Sequence, residues 1–207
     1  MGIADTSIAA VAAIFSGGAA VAAWQASKHA NRTADSVAQI ERDRFHRELT
    51  PRLSFRIKSQ DNGTFLHVRL NGPTALGRLD AIDISIRDDR DHTSDPVLGD
   101  GRDVEERDRT IWGPFRFRPG VDGADNLGRT LGTFTMEMHD SRPFVLDPSA
   151  APSWFEGAQG AQDWQKQYRD LPLRLWAICT AEGHKLWRLS AEVHQRRSGG
   201  LWTDVGP

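Results

Sequence analysis

The chain has 207 residues, 39% of them apolar, and 26 basic against 28 acidic side chains give it a formal net charge of −2. That length suits one domain plus an appendage, and the apolar share is too small for a multi-span membrane protein. The near-balanced charge, with no long basic stripe interleaved with aromatic residues, argues against nucleic acid as a partner.

The first predicted element is an Ala-rich helix. Residues 8–24 read IAAVAAIFSGGAAVAAW, and no charged side chain lies between Asp5 and Lys28. This run is close to the length a helix needs to cross a bilayer. A cleaved signal peptide would carry a basic start, whereas the only early charged side chain is Asp5. Residues 1–27 are therefore expected to form a transmembrane or membrane-embedded helix that contacts membrane lipid. Ala9, Ala13 and Gly17 fall at i, i+4 and i+8, a small-residue ridge of the kind along which two membrane helices pack. Trp24, Lys28 and Arg32 follow as interfacial anchors. Basic residues accumulate after the run and not before it, so the positive-inside rule places the C-terminal part in the cytoplasm as a single-pass arrangement at the cell membrane.

Residues 28–50 stay helical in character, without Gly or Pro, and are expected to be a juxtamembrane helix. Ala30, Ala34, Val37, Phe45 and Leu49 mark its apolar side. Thr50–Pro51 ends it, because the residue before proline is pushed out of the α region.

From residue 52 the hydrophobic period becomes two. Leu53, Phe55 and Ile57 alternate with polar residues, Asp61–Asn62–Gly63 supplies a hairpin turn, and Leu66, Val68 and Leu70 form the return strand. Ile82, Ile84 and Ile86 mark a third strand within 79–87. Further strands are expected at 110–117, 131–138, 142–146, 172–180 and 185–194, the last two joined at Glu182–Gly183–His184. A short helix is expected over 159–168, and 195–207 reads as a loose tail. The pattern over 51–194 predicts a mainly β fold, an antiparallel β-sandwich of immunoglobulin-like shape preceded by the long N-terminal helix.

The run Trp112-Gly-Pro-Phe-Arg-Phe-Arg-Pro-Gly120, with Leu49-Thr-Pro-Arg52 and Asn71-Gly-Pro73 before it, resembles actinobacterial membrane-linked proteins that carry a C-terminal β-rich domain. The resemblance spans roughly residues 45–193 and implies no activity.

Candidate chemistry is sparse. Residues 88–109 hold nine acids against four arginines. Calcium needs six to eight oxygens, but this spacing matches no calcium loop, and a solvated inter-strand loop is the expected form. The seven histidines include no i, i+4 pair, and no nucleophile elbow or phosphate-cradling loop is present. No catalytic, metal or cofactor site is expected. Cys179, the single cysteine, excludes an internal disulfide and reads as a small buried hydrophobe. Of the seven tryptophans, Trp112, Trp176 and Trp187 lie in strand patterns and are expected in the core. Trp154, Trp164 and Trp202 lie outside them and are the candidates for a protein-binding surface.

The sequence thus reads as a membrane-anchored cytoplasmic binding or scaffolding module, with an unknown protein partner and scope for a homo-oligomer. One alternative is a soluble self-assembling structural protein that uses the Ala-rich helix. The other is a hydrolase with a non-contiguous site, which would bring His92 or His139 beside two carboxylates.

Overall fold

The computed structural model describes residues 3–88, 101–155, 157–195 and 202–205; side chains are described for Trp24, Gln25, 27–88, 105–155, 157–195 and 202–205. The chain divides into two compact units, Met1–Glu48 and Leu49–Pro207.

The first unit is one helix, α1 (Ile3–Glu48). Ala9, Ala13 and Gly17 lie on it, but their side chains fall outside the described set. Among the described residues, no helix is long and apolar enough to cross a membrane. The apolar run Ile8–Ala23 precedes Trp24, the first side chain described.

The second unit is mainly β, built as two antiparallel sheets. Its strands are β1 (Arg52–Gln60), β2 (Gly63–Gly72), β3 (Arg78–Ile86), β4 (Phe115–Phe117), β5 (Phe134–Glu137), β6 (Ser141–Pro148), β7 (Leu173–Thr180), β8 (Trp187–Val193) and β9 (Thr203–Val205), with helices α2 (Gly101–Arg109) and α3 (Gly157–Tyr168). One sheet runs β4-β6-β2-β1-β9, the other β5-β3-β7-β8.

Alternation explains the pairing. In β1, Leu53, Phe55 and Ile57 are buried, and they face across the ladder to Leu70, Val68 and Leu66 of β2. A register slip of one residue would turn all six toward water. In the other sheet, Leu173, Leu175, Ala177 and Cys179 of β7 run beside Trp187, Leu189, Ala191 and Val193 of β8, all eight buried. One hydrophobic cluster takes in residues of both sheets. Phe134 of β5 meets Phe144 of β6 across them, ring centroids 4.8 Å apart. Each fully buried Leu, Ile or Phe contributes about 1.5–3 kcal/mol.

Three expectations change. The C-terminal residues are not wholly a loose tail, because β9 pairs with β1 through Leu53–Val205, Ser54–Asp204 and Phe55–Thr203. The 110–117 strand shrinks to Phe115–Phe117, since Gly113 and Pro114 interrupt the extended run. Part of the acidic stretch is helical as α2, where Glu105 and Arg109 form an i, i+4 pair at 2.6 Å.

Candidate functional site

The chemically richest surface lies where α3 packs on the β unit. Trp164 and Tyr168 sit four residues apart, so they share one face of α3. Trp164 is fully enclosed, and Tyr168 is 6% exposed. Their ring centroids lie 4.3 Å apart. Phe155 meets Trp164 edge-on at 5.2 Å, and Trp112 lies 5.3 Å from it. Trp154 completes the group at 6.4 Å from Trp112, with the Arg107 guanidinium over its ring at 5.8 Å.

A polar relay fixes this aromatic group. The Trp164 indole Nε1–H donates to Ser149 Oγ at 2.9 Å, and that hydroxyl donates onward to the Gly113 carbonyl. An indole buried without such an acceptor would cost on the order of 1–3 kcal/mol. Outside the cluster, the Ser153 hydroxyl and amide both donate to the Glu106 carboxylate, each at 2.5 Å. The Ser153 side chain, then its amide, holds the Glu106 carboxyl below its ordinary range.

Beside this group runs a groove of about 390 Å³, lined by Asp88, Trp112, Gly113, Gln167, Tyr168, Leu171, Pro172 and Arg174. Its size is within the range of ligand-binding clefts. Two aromatic rings, an apolar Leu–Pro step, an amide and one charge of each sign give it recognition chemistry. A smaller cavity of about 130 Å³ lies near Ser149 and Tyr168, lined also by Pro114, Phe115, Gln165 and Arg169.

The tryptophans fall differently from expectation. Trp164 is enclosed, so it offers no surface; its place on an amphipathic helix, outside any strand, hid that. Trp154 and Trp202 are half-buried, and the Arg56 guanidinium covers the Trp202 ring at 4.4 Å. Trp187 is core at 4% exposure, whereas Trp176 is 38% exposed under the Arg87 guanidinium at 4.6 Å. The period-two pattern of β7 already carried this, since Trp176 is out of phase with Leu175 and Ala177. Trp112 lines the groove, a role that its position in a strand-like run concealed. On α1, Trp24 is 64% exposed with Lys28 Nζ 5.0 Å from its ring centroid, and Arg32 is exposed.

The other chemical candidates do not converge. His92 lies outside the described residues, and His139 is exposed in the β5–β6 turn, in the lining of neither cavity. Among the described residues, no three His, Cys, Asp or Glu side chains are grouped to hold a metal ion. Cys179 is buried, and burial followed by the Asp83 charge pushes its thiol up to about 12. No family model, curated protein or solved structure matches the chain.

Proposed function

We propose that the chain is a single-pass, membrane-anchored module whose cytoplasmic β domain binds a protein partner through the groove between Trp112, Tyr168, Leu171 and Arg174. The groove carries this reading. It places two aromatic rings beside opposite charges at the end of a rigid scaffold, the arrangement by which clefts orient a ligand. It suits a peptide segment presenting an apolar or aromatic side chain flanked by charged groups. The N-terminal run 1–27 supplies the anchor in this reading, and the basic residues that follow it set the orientation.

The scaffold itself is read as an immunoglobulin-like sandwich. The order β1-β2-β6-β4 parallels the A-B-E-D sheet of that fold, and β3-β7-β8 parallels C-F-G. Loops at one end of such a sandwich are its customary binding surface.

The test is a photo-crosslinker placed in the full chain at Leu171, 46% exposed in the groove lining, with Leu186, 58% exposed in the β7–β8 turn, as control. A discrete adduct from position 171, missing from 186 and lost on Trp112→Ala, is the expected result. Identical adducts from both positions, insensitive to Trp112→Ala, would remove the groove from the account.

A second reading, self-assembly through α1, draws on one observation. Val37, Ile40 and Phe45 are all more than half exposed on that helix. Oligomers that persist without detergent and dissociate on Val37→Asp/Ile40→Asp would favour it.

A further inference from the structure

The outer face of the five-stranded sheet is basic, although the whole chain is slightly acidic. Residues out of phase with the core strand positions project there: Arg56 and Lys58 from β1, His67 and Arg69 from β2, Arg116 from β4. Register places Arg56 opposite His67 and Lys58 opposite Phe65. Directly opposed side chains start about 5 Å apart, so Arg56, Lys58, His67 and Arg69 form one cluster around the imidazole. Arg116 lies beyond β6, opposite Asp147 of that strand, so the basic positions are spread over about 15 Å across the sheet.

In register Arg116 lies opposite Asp147, whereas Arg56, Lys58 and Arg69 lie opposite His67, Phe65 and Ser54. Among the described residues, Arg56, Lys58, Arg69 and Arg116 form no ion pair with a carboxylate. Asp147 and Asp204 place negative charge on the same face. Asp147 takes Arg118 at 2.8 Å, and Asp204 accepts from Ser54 and Asn71. The Nε atoms of Arg56, Arg69 and Arg116 and Nε2 of His67 are shut off from solvent and make no hydrogen bond among the described residues. Burial first, then the Lys58 and Arg56 charges, lowers the His67 pKa. Holding like charges together on a half-buried face is unfavourable unless an anion meets them.

We infer that this sheet face docks on an anionic phospholipid surface, with Arg56, Lys58, Arg69 and Arg116 contacting headgroup phosphates. The face is an open sheet spanning several strands, which suits an extended array of phosphates. Single-stranded nucleic acid needs exposed rings on which bases stack. Here Phe65 is half-buried and the Trp202 ring lies half-buried under Arg56, so that requirement is unmet. Proximity to a bilayer rests on the anchor proposed above; the charge complementarity does not.

Lysine footprinting of the full chain separates the two. The chain has only four lysines, Lys28, Lys58, Lys166 and Lys185, so each is read individually by mass spectrometry after brief acetylation. The reaction is run with phosphatidylcholine vesicles, with the same vesicles containing phosphatidylserine, and with single-stranded RNA. Lys58 acetylation is expected to fall about fivefold or more with phosphatidylserine present and to recover in high salt, while Lys166 and Lys185 hold constant. Arg56→Gln/Arg69→Gln should abolish that protection, with unchanged circular dichroism showing that the sheet remains. Equal Lys58 reactivity with both vesicle types overturns the inference, and so does protection by RNA that matches or exceeds that by phosphatidylserine. Failure of the anchor shows separately, as a chain that does not co-sediment with pure phosphatidylcholine vesicles.

Discussion

Asp125 shows how much one side chain organises in the loop between β4 and β5. Its carboxylate accepts the amides of Leu127 at 3.1 Å and Arg129 at 2.8 Å and the Thr130 hydroxyl at 2.9 Å. Burial pushes this carboxyl up, but the hydrogen bonds, led by the Arg129 amide and Thr130 hydroxyl, prevail and hold it below its ordinary value. A carboxyl lowered by folding stabilises the protein above its unfolded pKa of about 3.9, and the contribution is lost as pH falls through the folded value. Asp125→Ala is therefore expected to cost about 1–3 kcal/mol at neutral pH, with the gap to wild type narrowing below about pH 4. Urea midpoints measured across that range would show it, and a gap independent of pH would contradict it. Gly128, in the same loop, sits at φ +76°, and a Cβ there would lie 2.1 Å from the Phe117 carbonyl oxygen. Gly128→Ala should lower stability by more than about 1 kcal/mol, read as a fall in melting temperature. By composition Asp122–Asn126 reads only as a Gly-containing turn. The amides that converge on Asp125 come from residues up to four positions on, and no spacing rule specifies that closure.

At the scale of elements, strands were legible wherever alternation persisted over five or more residues. Leu53–Phe55–Ile57, Ile82–Ile84–Ile86 and Trp187–Leu189–Ala191–Val193 each carry a face that only one register can bury. Short or broken patterns were not legible. β9 offers only Thr203, Asp204 and Val205, and what selects its place is an interaction 150 residues away in sequence, between Ser54 and Asp204. Ser54 is fully buried on β1, which by itself signals a partner on its outer side. A chain ending at residue 201 should lose stability by roughly 1–3 kcal/mol and expose the β1 amides to faster hydrogen exchange. Unchanged exchange at Leu53 and Phe55 would show that β9 does not hold that edge. The groove was equally hidden. Trp112, Tyr168 and Arg174 come from a loop, a helix and a strand, and only tertiary packing brings them together. The i, i+4 pair Trp164–Tyr168 was visible in the sequence and could have identified the face of α3 that packs inward.

For the whole molecule, the two units carry separate signals. The β unit is defined by its core and offers two surfaces of different chemistry, an aromatic groove and a basic sheet face. The helix α1 carries exposed apolar side chains and begins in an Ala-rich run whose sequence reads as a membrane segment. That run is weakly hydrophobic for its length, because alanine contributes little compared with leucine or isoleucine. The most direct test of its role is fractionation of cells expressing the tagged full chain or a form lacking residues 1–27, with the membranes washed in carbonate. With residues 1–27 as a membrane anchor, the full chain stays in the washed membrane and the shortened chain moves to the soluble fraction. A full chain released by carbonate to the same extent as the shortened one would contradict membrane anchoring and leave α1 as an assembly element.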